Sequence, residues 1–133
     1  MKNKLKILVS LFLATVMMVV ISVPVSAVQP RFNNLSDIWS SLYISGGSAT
    51  CRAHVEGVSG TTAIINGSAR LVNNAGTTVA SWSNLYATGD TLDFYDSSVR
   101  GLSKGTYTFY FSATIVKDEK PEAVSTSSSY TYA

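Results

Sequence analysis

The sequence predicts an all-β fold, a single antiparallel β-sandwich of about seven strands that follows an N-terminal signal-peptide helix. Polar and apolar residues alternate with a period of two from Ile38 nearly to the end of the 133-residue chain. Turn-forming residues interrupt this alternation roughly every 8–15 residues, as in chains of short strands. After the leader, no segment has the sustained apolar spacing of a helix. Such strands form two packed sheets, with a small barrel as the alternative.

The first 27 residues have the parts of a secretory signal peptide. Met1–Lys6 is cationic, Ile7–Val23 is uncharged and mostly apolar, and Val25-Ser26-Ala27 is an A-x-A-like cleavage site. An uncleaved membrane anchor is the alternative, because a helix over the apolar run measures about 26 Å against roughly 30 Å of hydrocarbon. Both interpretations place the remaining chain outside the cytoplasm. We expect a secreted protein that meets the membrane only through this segment.

The predicted organisation beyond the leader is a polar lead-in over 28–37 and one β-sandwich domain over 38–133. Three of the 10 Lys and Arg residues lie in the leader, and all 8 acidic residues lie beyond it. The exported chain therefore has 7 cationic and 8 anionic side chains and a net charge of −1. A mildly acidic domain with no Lys/Arg cluster lacks the electrostatic footprint of a nucleic-acid-binding protein. We expect no nucleic-acid partner.

Seven strands are assigned from the alternation and from the turns that separate them. They are predicted at 38–45, 48–56, 61–72, 77–83, 91–95, 106–116 and 123–132. The residues predicted to face the core in the second and sixth strands are Ala49, Cys51, Ala53 and Val55, and Tyr107, Phe109, Phe111, Ala113 and Ile115. In the third strand, those predicted to share one face are Ala63, Ile65, Gly67, Ala69 and Leu71.

The start of the sixth strand has the pattern L-x-x-G-x-Y, from Leu102 to Tyr107. This segment resembles the start of a late strand in immunoglobulin-like sandwiches, where the tyrosine hydroxyl bonds back to the backbone at a corner. The resemblance implies that role for Tyr107. The residue two positions later is Phe109 and not a cysteine, so the inter-sheet disulfide of antibody domains cannot form. A cysteine-poor immunoglobulin-like or fibronectin-like sandwich is the implied fold.

Most of the chain also resembles small exported proteins of Gram-positive, clostridia-like bacteria, whose function is uncharacterised. The resemblance implies a secreted β-sandwich and no known activity. It is carried by the leader, by Val28-Gln29-Pro30-Arg31, by the segment Ser-Gly-Gly-Ser-Ala-Thr-Cys at 45–51, and by Gly105-Thr106-Tyr107.

The residues do not form a recognisable catalytic set. Cys51 and His54 are the only cysteine and the only histidine, and their separation along a strand places them on opposite faces. We expect a buried Cys51 thiol and an exposed His54. The G-x-S-x-G match over 101–105 is followed by a predicted strand, whereas a nucleophile elbow leads into a helix. We therefore expect neither enzymatic activity nor a cofactor.

Metal binding is not predicted either. Asp90, Asp93 and Asp96 lack the alternating oxygen ligands of an EF-hand loop, and one His and one Cys are too few for a zinc site. We interpret these acids as solvated turn residues, with a calcium-binding loop as the alternative. The acidic residues of the last hairpin are interpreted as solvated in the same way, and they are Asp118, Glu119 and Glu122.

Outward-facing aromatic residues form the candidate binding surface. Its members are Trp39, Tyr43, Tyr110, Tyr130 and Tyr132. Trp39 and Tyr43 share a face of the first strand, and pairing of the last two strands is expected to place Tyr110 near Tyr130 or Tyr132. Such a platform would stack against sugar rings or a partner's apolar surface. The alternatives are a stabilising aromatic ladder or a second core face.

These observations favour a secreted, non-catalytic β-sandwich module that binds an extracellular glycan, protein or cell-surface partner. The alternative is a small secreted effector, such as an antimicrobial or inhibitory protein. The sequence contains neither a lytic amphipathic helix nor a cationic patch that would support the alternative.

Overall fold

The structure is a computed structural model that describes residues 32–133. The predicted signal peptide, its cleavage site after Ala27 and residues 28–31 of the predicted lead-in lie outside the described residues. No helix in this described part is long and apolar enough to cross a membrane. The described residues form seven strands: β1 (Leu35–Ser45), β2 (Ser48–Gly57), β3 (Thr61–Val72), β4 (Thr78–Thr88), β5 (Thr91–Val99), β6 (Gly105–Lys117) and β7 (Lys120–Tyr132).

The strands form two antiparallel sheets, as the sequence predicts. One sheet has the order β1-β2-β5, and the other has the order β4-β3-β6-β7. Since β4 pairs with β3, the arrangement differs from the constant-type immunoglobulin order, in which the fourth strand pairs with the fifth. At one margin, the Ser40 hydroxyl on β1 lies 2.7 Å from the Ser128 hydroxyl on β7, which joins the two sheets through side chains.

The core lies between the two sheets and contains the residues predicted for β2 and β6. Phe94 of β5 packs between Phe109 and Phe111 of β6, with ring centroids 5.8 and 5.9 Å away. Trp82 of β4 closes this cluster by an edge contact with Phe94 at 5.2 Å. Cys51 is fully buried among these apolar residues. The prediction of two alternating inner faces is confirmed.

The predicted face of β3 is wrong at one position. Ile64 is fully buried, whereas Ile65, which the alternation assigns to the inner face, is 37% exposed. The register shifts between Ile64 and Gly67, and Asn66 adopts a left-handed conformation with a φ of 54°. A bulge of this kind reverses the face on which later residues lie. Ala69 and Leu71, beyond the bulge, are buried as predicted.

The lead-in is tied to the last hairpin more closely than the sequence suggests. β1 begins at Leu35, inside the predicted lead-in. The backbone N–H groups of Asn33 and Asn34 donate to Oε2 and Oε1 of Glu122, at 2.9 and 3.0 Å. Glu122 is therefore not a purely solvated hairpin acid, because its carboxylate holds the approach to β1. Residues predicted as loop also extend other strands, with β4 reaching Thr88 and β5 reaching Val99.

The corner before β6 has the hydrogen bond that the immunoglobulin-like resemblance implies. The Tyr107 hydroxyl donates to the Ser103 carbonyl oxygen at 2.7 Å, and the ring of Tyr107 is buried. The Leu102 N–H donates to the Gly47 carbonyl at 2.9 Å, which fixes the same loop to the β1–β2 turn. Tyr107 therefore anchors the loop that crosses between the two sheets.

We expect Tyr107→Phe to destabilise the domain by about 0.5–1.5 kcal/mol, because the Ser103 carbonyl loses its donor while the ring remains packed. Urea unfolding followed by tryptophan fluorescence measures this change. Tyr86→Phe is the matched control, since the Tyr86 side chain is 74% exposed and is expected to contribute little. Equal midpoints for Tyr107→Phe and the unmodified protein would contradict a stabilising role for the corner.

Candidate functional site

The outer face of the β1-β2-β5 sheet combines exposed aromatic rings with charged side chains. We call it the front face. Because Leu42, Cys51 and Phe94 point into the core, the alternating residues of the same three strands point outward. The front face is made of Asp37, Trp39 and Tyr43 from β1, Arg52, His54 and Glu56 from β2, and Asp93 and Tyr95 from β5.

Three residues of the front face form a row across the strands. Trp39 is paired with His54, and His54 is paired with Asp93. The indole of Trp39 stacks on the imidazole with ring centroids 5.6 Å apart and an interplanar angle of 19°. On the other side, the His54 Nδ1 lies 2.6 Å from Oδ1 of Asp93. The imidazole is thus held between an aromatic ring and a carboxylate.

The structure corrects the prediction for His54. Its side chain faces outward as expected, but only 17% of it is exposed, because Trp39 and Asp93 cover it from both sides. Asp93 is also not a turn residue, since it lies within β5 between Leu92 and Phe94, which are buried. The three acids at 90, 93 and 96 have separate partners. The Asp90 carboxylate accepts from Thr91, and that of Asp96 accepts from Ser98.

Two more carboxylates approach the free edge of the imidazole. Oε2 of Glu56 lies 3.6 Å from the His54 Nε2, and Oδ2 of Asp37 lies 3.9 Å from it. Asp37 and Glu56 are themselves paired across β1 and β2. The hydrogen bond with Asp93 is the main cause that raises the pKa of His54, and the negative charges of Glu56 and Asp37 act in the same direction, against partial burial.

A second row, two residues along the strands from the first, contains Arg52 of β2 and Tyr95 of β5. Arg52 is paired with Tyr95, and its guanidinium lies 5.3 Å from the centre of the tyrosine ring. This distance is within the range of a cation–π contact. Trp39, Tyr43 and Tyr95 are 43, 56 and 60% exposed. The front face therefore presents an aromatic surface with one fixed cation and a group of carboxylates at one end.

The predicted aromatic surface is divided between different faces. Trp39 and Tyr43 lie on the front face, whereas Tyr110 lies on the outer face of the other sheet, where Arg70 covers its ring at 4.5 Å. Tyr130 is paired with Tyr107, whose ring points inward, so the predicted pairing of Tyr110 with Tyr130 or Tyr132 is wrong. The two-residue turn at 118–119 sets a register that places Tyr110 opposite Ser127.

Tyr130 and Tyr132 are partly buried and pack against the core cluster. Tyr130 also meets the edge of the Tyr43 ring, with centroids 5.4 Å apart. The sequence alternative of a second core face therefore describes these two tyrosines better than an exposed platform. Reasoning from the sequence missed Arg52 and Tyr95. The signal for Arg52 was the polar side of β2, where Arg52, His54 and Glu56 alternate with buried residues. The signal for Tyr95 was its position in β5, where Asp93 and Tyr95 alternate with the buried Leu92 and Phe94.

The geometry separates the side chains that could form a nucleophilic pair. Cys51 is on the inner face of β2, and His54 is on the outer face. Burial, with a smaller contribution from Asp96, raises the pKa of the Cys51 thiol to about 12. Ser103 of the G-x-S-x-G match lies in a loop that leads into β6, so its surroundings are not those of a nucleophile elbow.

Comparisons with known proteins do not assign a function to this chain. No protein-family model matches the chain, and no curated protein matches it. The resemblance to exported clostridia-like proteins remains a prediction from the sequence.

We expect the Cys51 thiol of the folded protein to resist alkylation by iodoacetamide at about pH 8, because it is buried and un-ionised. After unfolding in guanidinium chloride, the same thiol should react completely. Mass spectrometry of the alkylated protein measures both results. Rapid alkylation of the folded protein, at a rate that does not depend on unfolding, would contradict the packing of the core.

The raised pKa of Cys51 also predicts a pH dependence of stability. Burial favours the neutral thiol, so its contribution is fully present below the ordinary pKa of 9.0 and is lost as the pH rises toward about 12. We expect the free energy of unfolding to fall by at most about 1.4 kcal/mol per pH unit in this window through this group. Denaturant titrations of the unmodified protein and of Cys51→Ala measure it. Identical alkaline slopes for the two proteins would refute the prediction.

Proposed function

We propose that this protein is a secreted, non-catalytic binding module that engages an extracellular protein through its front face. The observation that carries the proposal is the placement of Trp39, Tyr95 and Arg52 on one sheet surface, with the two rings 43 and 60% exposed. Tryptophan, tyrosine and arginine are the residues that contribute most binding energy at protein interfaces. The exposed aromatic residues of the front face are Trp39, Tyr43 and Tyr95.

The side chains of this surface are ordered before a partner arrives. Trp39 is stacked on His54, and Tyr95 lies under the guanidinium of Arg52. Ordering a side chain on binding costs about 0.5–1.5 kcal/mol, so contacts that already hold the rings lower that cost. The strands beneath them also provide a rigid base, because the opposite side of the same sheet packs into the core.

The charges of the front face indicate the kind of protein that it fits. Asp37, Glu56 and Asp93 carry three negative charges beside Trp39, while Arg52 lies in the neighbouring row. Complementary charge around an apolar contact increases the association rate and determines the orientation of the partner. We therefore expect a partner that inserts an apolar group between Trp39 and Tyr95 and presents basic side chains to the carboxylates.

The test uses the labelled protein with extracellular protein fractions and a glycan array. Trp39→Ala and Tyr95→Ala should each weaken binding about 30-fold, which corresponds to a loss of roughly 2 kcal/mol at an interface hot spot. Tyr86→Ala is the matched control, because Tyr86 is the most exposed tyrosine among residues 32–133 and lies on β4 of the other sheet. Circular dichroism checks that each variant is folded.

Binding that survives both substitutions, or that Tyr86→Ala weakens equally, would refute the role of the front face. The partner would be a glycan instead of a protein if binding is lost with Trp39→Ala, is inhibited by a soluble glycan and survives protease treatment of the target.

A further inference from the structure

The carboxylate end of the front face brings together three donor atoms suited to a metal ion. The Nε2 atom of His54 and carboxylate oxygens of Asp37 and Glu56 all lie within 4.8 Å of one another. Asp37 comes from β1, and the other two come from β2, where they are two residues apart on the same face. Imidazole nitrogen and carboxylate oxygen are both ligands that Zn²⁺ uses in proteins.

The distances between these atoms fit a bridging ion better than direct hydrogen bonds. Nε2 lies 3.6 Å from Oε2 of Glu56 and 3.9 Å from Oδ2 of Asp37, which is beyond the usual hydrogen-bond range. Two ligands that bind one tetrahedral Zn²⁺ at about 2.0–2.1 Å are separated by roughly 3.4 Å. The oxygens of Asp37 and Glu56 lie within 4.8 Å of each other, so side-chain rotations that bring these donors closer would place all three on one ion.

Asp93 orients the imidazole for this role. Its Oδ1 lies 2.6 Å from the His54 Nδ1, so the N–H of this nitrogen points to the carboxylate. The lone pair of a neutral imidazole is then on Nε2, which is the atom that faces Asp37 and Glu56. A carboxylate on the far nitrogen of a histidine is a common feature of metal sites, where it fixes the ring and strengthens the ligand.

The charge balance of the group also favours a cation. Asp37 and Glu56 are directly paired across the strands, and like charges in this position are destabilising. Over residues 32–133, the ion pairs of these acids involve His54 and no lysine or arginine. Arg52, the nearest cation along β2 on this face, directs its guanidinium over Tyr95.

We propose that Asp37, His54 and Glu56 bind a divalent transition-metal ion, with Zn²⁺ as the best chemical match and Asp93 as the residue that positions His54. Three protein ligands leave a fourth position of a tetrahedral ion for water or for a group of the partner. The site goes beyond the proposed partner binding, because metal binding requires no partner and no exposed tyrosine.

The test is titration of the purified, chelator-treated protein with Zn²⁺ by isothermal titration calorimetry. We expect one equivalent to bind. His54→Ala should abolish this binding, and Asp37→Asn and Glu56→Gln should each weaken it at least tenfold. Asp93→Asn should weaken it about 10–100-fold, as expected for a residue that orients a ligand. Asp118→Asn is the matched control, since it removes an exposed turn carboxylate, and it should leave the affinity unchanged.

Replacement of Zn²⁺ by Co²⁺ gives a second measurement that does not depend on heat. A tetrahedral site with nitrogen and oxygen ligands should give visible absorption bands, and these should be absent from His54→Ala. The proposal would be overturned if Zn²⁺ does not bind, or if His54→Ala binds it as tightly as the unmodified protein does. It would also be overturned if Asp118→Asn weakens binding as much as Asp37→Asn and Glu56→Gln do. If His54→Ala does not fold, Glu56→Gln and Asp93→Asn provide the decisive comparison. Trp39→Ala removes no ligand of the ion, so one equivalent of Zn²⁺ should still bind to this variant when partner binding is lost, and the two proposals can fail separately.

Discussion

The register between β1, β2 and β5 is the constraint on which the front face depends. Cys51, Ala53 and Val55 alternate with Arg52 and His54, so one side of β2 is buried and the other is solvated. A slip of one residue would exchange these faces and bury the charged side chains. Burial of an unpaired charge is costly, and the same slip would expose the apolar side of β2, so both effects oppose it. The packing of the core therefore determines which side chains meet on the outside.

His54 is the residue that links the two proposals for this surface. One side of its ring supports Trp39, which we propose contacts a partner, and its outer nitrogen faces the carboxylates that we propose bind a metal ion. An ion at this position would fix the imidazole and, through the stacking contact, the indole. It would also reduce the negative charge beside Trp39. Metal and partner would then affect each other's affinity reciprocally, because they share one side chain.

The sequence was sufficient for the fold class and for most of the core, because strict alternation along β2 and β6 indicates the buried side directly. It was insufficient where local geometry changes the alternation. The bulge at Asn66 moves Ile65 outward. The Asn66-Gly67 pair is a signal of such a bulge, and an unbroken alternation through Gly67 passes over it. The pairing of distant strands was also not available from the sequence, and that pairing brings Asp93 to His54. The last two strands were expected to pair, but the register that separates Tyr110 from Tyr130 depends on the exact length of the turn at 118–119. The strand register, and not a local sequence motif, determines which side chains come together in the candidate site.

The register of the β1-β2-β5 sheet can be measured by nuclear Overhauser spectroscopy on isotopically labelled protein, directed at the ring protons of His54. We expect cross-peaks between these protons and the indole of Trp39, whose ring centroid lies 5.6 Å away. Cross-peaks are also expected between the methyl protons of Ala53 and the ring of Phe94, because these two residues are paired across β2 and β5 and both face the core. Cross-peaks between His54 and Phe94, with none to Trp39, would show that the faces of β2 are exchanged and would rule out the proposed front face.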